Sequence, residues 1–167
     1  PTANWQAKIW RAEYFVDLIE RLSGPGGILP GARVAVFGRD DERPMALRVI
    51  DAVPEDRRID LVGRIGLLEA GACLERAQFY VGNDSGLMHL AAAAGVPTLG
   101  LFGPSLEELY APWGLLCAVA RADKSFNEIF PPNFDHRATG TLMDSLTVDT
   151  VEKAARGLWR RVAEAAA

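Results

Sequence analysis

The stretch Gly82-Asn83-Asp84-Ser85-Gly86-Leu87-Met88-His89 holds the densest set of residues able to do chemistry in this chain. It follows an apolar run and opens an Ala-rich helical pattern. A helix start leaves backbone N–H groups unpaired and carries partial positive charge, so it suits a phosphate. Gly82 and Gly86 permit close backbone approach. Ser85 can cap the helix or donate to a phosphate oxygen. His89 lies four residues after Ser85, on the same face. Helical side chains lean toward the N-terminus, which aims its ring at the ligand position. A carboxylate beside a pyrophosphate is repelled, so Asp84 fits the hydroxyl groups of a sugar better. The simpler alternative is purely structural: Asp84 and Ser85 cap a helix and Asn83 fills a turn.

Two further side chains join this set. Lys8, on a loop near the start of the chain, can reach a phosphate as a mobile point charge or stay a solvated surface residue. Glu42, four residues past Gly38, stands where a carboxylate accepts ribose hydroxyls in dinucleotide folds. It can equally be a favourable charge in a first helical turn. The turn Leu99-Gly100-Leu101-Phe102-Gly103-Pro104 shapes a crevice and carries no chemistry of its own. There is no G-x-G-x-x-G, Walker A or G-x-S-x-G string. The second histidine, His136, falls in an irregular stretch, so a Ser–His hydrolase fits poorly.

These groups need a frame, and the chain supplies one. Glu13 to Leu22 reads as an amphipathic helix with Tyr14, Phe15, Leu18, Ile19 and Leu22 on one face. Ser23 to Gly31 is a Gly/Pro-rich loop. Strands are expected at Arg33–Phe37, Ile59–Val62, Phe79–Val81, Thr98–Phe102 and Leu115–Ala120. Helices are expected at Asp41–Ala52, Leu67–Arg76, Gly86–Ala94 and Thr147–Ala163. Pro44 is tolerated in a first turn, and Asp149 with Glu152 forms the capping signal of the last helix. Ala122 to Gly140 reads as a loop, with or without a short helix. The alternation implies an α/β fold with a doubly wound, Rossmann-like parallel sheet, whose ligands bind at the carboxyl ends of the strands. Pro1 to Lys8 reads as a loop following a strand that the sequence does not contain, one expected in the middle of the sheet.

The bulk composition agrees. At 167 residues, half apolar and a quarter charged, the chain suits one globular domain. A net charge of −4 argues against a nucleic-acid partner. No apolar run approaches the roughly 20 residues of a transmembrane segment, and the first residues have no signal-peptide pattern. Cys73 and Cys117 read as buried, reduced residues of a cytosolic protein. No Cys/His spacing suggests a metal.

The run Asp84-Ser85-Gly86-Leu87-Met88-His89-Leu90-Ala91-Ala92-Ala93, with Gly95-Val96-Pro97-Thr98 and Phe102-Gly103-Pro104-Ser105, resembles the hallmark of glycosyltransferase family nine, the bacterial heptosyltransferases. Lys8-Ile9-Trp10 resembles the family's K-x-W loop, Phe37-Gly38 with Glu42 its second-strand ending, and Leu109 to Gly114 the segment after its F-G-P turn. The resemblance covers the chain to about Gly114 and implies the C-terminal, donor-binding half of a GT-B fold. It also implies a nucleotide-diphosphate sugar donor, usually ADP-heptose, and a lipid-linked saccharide acceptor, the lipopolysaccharide core. By the same resemblance Lys8 contacts the phosphates, and Ser85, Gly86, Leu87 and His89 form the phosphate-facing turn. Asp84 contacts the sugar, Glu42 lies near the ribose, and Ile65 packs on the adenine. Transfer inverts the anomeric carbon and needs no metal or other cofactor. The general base belongs to an N-terminal acceptor domain that residues 1–167 do not include, so this chain is expected to hold no catalytic residue and to transfer nothing alone. Its place is cytoplasmic, at the inner face of the inner membrane through the acceptor.

Two other classes compete. Nucleotide-sugar epimerases share a D-S-G turn but follow it with an acidic residue, where this chain has His89 and an Ala run. A non-catalytic domain keeping the same fold is disfavoured by the intact Lys8, Asp84 and His89.

Overall fold

The computed structural model describes residues 5–130, 135 and 140–167. Its first element follows from the apolar stripe of helix α1 (Ala12–Ser23), which buries Leu18 and Leu22. The helix lies between α2 (Arg43–Ala52) and the long C-terminal helix α7 (Val148–Ala165). Strand β1 (Val34–Val36) pairs in parallel with β2 (Arg58–Asp60). A 3-10 turn at Asp40–Glu42 leads into α2, whose Pro44 sits in the first turn, where its missing N–H leaves no bond unmade.

After α3 (Leu67–Leu74) the chain builds three more parallel strands. These are β3 (Tyr80–Asn83), β4 (Thr98–Phe102) and β5 (Cys117–Arg121), in the order β3-β4-β5. Helix α4 (Gly86–Ala93) joins β3 to β4. A four-residue helix α5 (Glu107–Tyr110) lies between β4 and β5, and a second short helix α6 (Phe126–Ile129) follows β5. All five residues of β4 are buried, as expected of a central strand covered on both faces. On one face, Leu99, Leu101 and Ala120 pack against Trp10, α1 and α7. On the other, Met88 of α4 and Pro112 close on Gly100, where an added Cβ would stand 2.6 Å from the Met88 sulfur.

The fold is therefore α/β with parallel strands, as the alternation implied. The described strands form two hydrogen-bonded sets, β1-β2 and β3-β4-β5. Several boundaries differ from expectation. Strand β3 runs on through Gly82 and Asn83, because both pair in register with Gly100 and Leu101. The ladder overrides their turn propensity. Strand β2 stops at Asp60, whose carboxylate accepts the Val62 N–H at 3.1 Å and turns the chain. Leu115 is 93% exposed and lies before β5, not in it. The cap of α7 is Thr147, which accepts from the Thr150 N–H. Asp149 pairs instead with Arg21, and Glu152 with Arg21 and Arg156. Cys73 and Cys117 are free thiols, half-buried rather than buried. Of the irregular stretch, α6 is the short helix; Pro131 to Phe134 and His136 to Thr139 lie outside the described residues, as do Pro1 to Asn4.

Candidate functional site

The extension of β3 sets the site. It carries the chain two residues further than an apolar run would, so Asp84 sits at the strand's tip, its N–H donated to Leu101 O at 3.2 Å. Asn83 does the joining. Its buried Oδ1 accepts the Trp10 N–H at 3.1 Å, which ties the Lys8 loop to the end of β3. The other side of that loop is held by the segment before α7. Leu142 donates its N–H to Ala7 O, Thr141 Oγ1 donates to Ile9 O, and the Trp10 indole donates to Leu146 O.

With the loop so fixed, Lys8 Nζ stands 2.6 Å from Asp84 Oδ2. The side chains are only 19% and 7% exposed, so this pair is shielded from water far more than a surface pair. The ammonium also lies over the Trp5 ring, 4.4 Å from its centroid, and 5.8 Å from the centroid of Tyr110 at the end of α5.

Ser85 is the N-cap residue of α4, with extended backbone, and its side chain makes no cap hydrogen bond. Its carbonyl accepts from Met88 and His89 instead. Burial pushes the Tyr80 phenol well above its ordinary pKa, and the neighbouring Ser85 side chain opposes that shift. The phenol folds back under Gly82, where a Cβ would stand 2.8 Å from the ring carbon bearing the hydroxyl. Gly82 is thus a glycine because Tyr80 fills its side-chain space. Gly86 and Leu87 open the first turn of α4, whose N–H groups have no intrahelical acceptor. His89 is exposed one turn on.

Glu42 and Ile65 occupy the loops after β1 and β2, in the two-stranded set. Glu42 is buried, and its Oε2 accepts the Arg39 N–H at 2.9 Å, holding the β1–α2 turn. Ile65 is half-buried before α3, and its neighbours Leu67 and Leu68 are 68% and 89% exposed. Sequence reading thus named Lys8, Asp84 and Ser85, which the fold brings together. It missed Trp5, Tyr80, Asn83 and Tyr110. The spacing Trp5-x-x-Lys8 was visible; the approach of Tyr110 depends on packing and had no local signal. It also missed Arg121, whose guanidinium donates to the carbonyls of Gly103 and Ser105 and pairs with Glu107, clamping the turn after β4. Among the described residues no group of three His, Cys, Asp or Glu could hold a metal ion. None of their helices is long and apolar enough to cross a membrane.

Comparison with known proteins identifies the family. Residues 1–128 match the family described as glycosyltransferase family 9 (heptosyltransferase). The lipooligosaccharide heptosyltransferase 2 of Haemophilus influenzae is 35% identical over 109 residues, which are 64% of this chain and 30% of that protein. The lipopolysaccharide heptosyltransferase 1 of Pseudomonas aeruginosa is 35% identical over 102 residues, 61% of this chain and 27% of that one. Among solved structures, the E. coli ADP-heptose lps heptosyltransferase II superimposes with a TM-score of 0.74 at 23% identity, over 96% of this chain and 45% of that one. The E. coli heptosyltransferase WaaC with ADP gives 0.67 at 23% identity, over 95% and 46%. The chain thus spans about a third of the curated relatives it matches, and it has the fold of one half of the GT-B heptosyltransferase structures. By the match over residues 1–128, the chain belongs to glycosyltransferase family 9.

Proposed function

We propose that this chain is the C-terminal, donor-binding domain of an inverting heptosyltransferase that uses ADP-heptose and a lipopolysaccharide core acceptor. The observation that carries the reading is the shielded Lys8–Asp84 pair at the tip of β3, beside the first turn of α4. A cation, a carboxylate and free helix N–H groups meet at the carboxyl ends of parallel strands, where such sheets bind ligands. Two similar structures point the same way, since one is described as an ADP-heptose enzyme and the other holds ADP.

In this reading the Lys8 ammonium and the amides of Gly86 and Leu87 take the diphosphate, with Ser85 and His89 on the same side. These charges offset the negative charge that grows on the leaving diphosphate, so the step needs no metal. Asp84 accepts hydroxyls of the sugar. Glu42 lies by the ribose and Ile65 by the base. The general base comes from an N-terminal acceptor domain outside residues 1–167, so the chain alone binds donor and transfers nothing. The described strands form two sets, β1-β2 and β3-β4-β5; a strand preceding Pro1 and lying between them would give the doubly wound order 3-2-1-4-5-6. Work on a lipid-linked acceptor puts the protein in the cytoplasm at the inner membrane face.

Calorimetry with ADP, UDP and an ADP-sugar tests the reading. The expected result is binding of ADP and tighter binding of the ADP-sugar. Binding of UDP without ADP would favour an epimerase-like domain, and silence with all three a non-catalytic one. Sugar transfer by the purified chain would overturn the division of labour.

A further inference from the structure

We propose that Trp5, assisted by Tyr110, is a positioning residue that holds the Lys8 ammonium in place for a phosphate. The Lys8 Nζ has three N–H donors, and Asp84 Oδ2 takes one of them at 2.6 Å. A second carboxylate would neutralise the cation further and occupy another donor. An aromatic face does neither. Its ring quadrupole attracts the cation while leaving the N–H groups free. The Trp5 centroid lies 4.4 Å from Nζ, well within the range of such contacts, and Tyr110 at 5.8 Å stands at its edge. Asp84 and the two rings therefore hold the ammonium with donors to spare.

The contrast with Trp10 supports this role. Trp10 is 1% exposed, packs tilted against Tyr14 and edge-on against Phe15, and ties its indole N–H to Leu146 O at 2.7 Å. That is a core tryptophan. The Trp5 indole N–H has no hydrogen-bond partner among the described residues, and its ring faces the Lys8 ammonium at 4.4 Å. Tyr110 is half exposed at 51%, on a helix of four residues, which suits a wall facing a site better than a core residue.

The phosphate half of this inference rests on the nucleotide-sugar reading above; the clamp itself does not, and one experiment separates them. In protein labelled at lysine, the Lys8 ε-methylene resonance is expected upfield through the Trp5 ring current. Trp5→Phe keeps that shift and Trp5→Leu abolishes it. Absence of the shift in the unaltered chain overturns the clamp, whatever binds. In calorimetry, Trp5→Leu is expected to weaken ADP binding about 3- to 30-fold, and Trp5→Phe to restore most of it. In a Lys8→Met background Trp5→Leu should change nothing further. An equal loss in that background overturns the proposal, because Trp5 would then act on the ligand or the fold without Lys8. Failure of the unaltered chain to bind ADP refutes the nucleotide reading instead, and the resonance still decides the clamp.

Discussion

The Lys8 ammonium and the Asp84 carboxylate, 76 positions apart in sequence, meet at 2.6 Å at the end of β3. Each is the other's nearest opposite charge, and in the function proposed above a donor engages both. Removing either should therefore have opposite effects on nucleotide binding. Lys8→Met leaves a carboxylate only 7% exposed without its cation, and should cost about 1–3 kcal/mol of stability. It should also weaken ADP. Asp84→Asn removes an anion from beside the phosphates, so ADP should bind more tightly while the preference for ADP-sugar over ADP disappears. Thermal unfolding and calorimetry read both. If Asp84→Asn weakens ADP as Lys8→Met does, the division of roles is wrong.

Asn83 should matter more than a turn residue would. Its Oδ1 is the acceptor for the buried Trp10 N–H. Asn83→Ala leaves that N–H unsatisfied, at about 1–3 kcal/mol, and slackens the loop that carries Lys8. We expect faster hydrogen exchange at the Trp10 amide and weaker ADP binding together. Loss of stability with unchanged exchange at Trp10 would show that the stitch lies elsewhere.

Arg121 holds the Gly103–Glu107 turn by two backbone carbonyls and a carboxylate. Lysine has no planar fork, so Arg121→Lys should not rescue the loss seen in Arg121→Ala. Both variants should speed exchange of amides from Ser105 to Tyr110, and so disturb the ring of Tyr110 near Lys8. An Arg121→Lys variant with unaltered exchange would refute this clamp.

Acid sensitivity should centre on Asp60, at the end of β2. The hydrogen bond from Arg43 holds the Asp60 carboxyl below the usual range, against an opposing push from burial, and the Val62 N–H and Arg64 add to the lowering. A carboxyl lowered in the folded state contributes stability that is full above its unfolded pKa of about 3.9. That contribution is lost as pH falls through the lower folded value. Denaturant unfolding from pH 7 downward should show the unaltered chain losing stability below about pH 4 more steeply than Asp60→Asn. Parallel curves would remove Asp60 from the account. Some acid loss will persist in the variant, since Asp144 is likewise lowered, first by its hydrogen bond from Arg11.

Local pattern alone settled much of this protein. The 3.6-residue stripe of α1, the apolar run of β4 and the Asp-Ser-Gly turn each record their surroundings in a few adjacent residues, because period and turn chemistry are properties of the backbone. The same run carried the family. Tertiary structure decided the rest. Gly82 and Asn83 are strand residues only because β4 pairs with them. Thr147 caps α7, accepting from the Thr150 N–H, while Asp149 and Glu152 lie inside the helix and pair with Arg21 of another helix. Lys8 gained its surroundings from Asn83, Asp84, Trp5 and Tyr110, which come from three segments of chain. Charge pairs and ring contacts of that kind depend on distance in space. Nothing in the sequence near Lys8 encodes the approach of Tyr110, so that contact became visible only once the chain was folded.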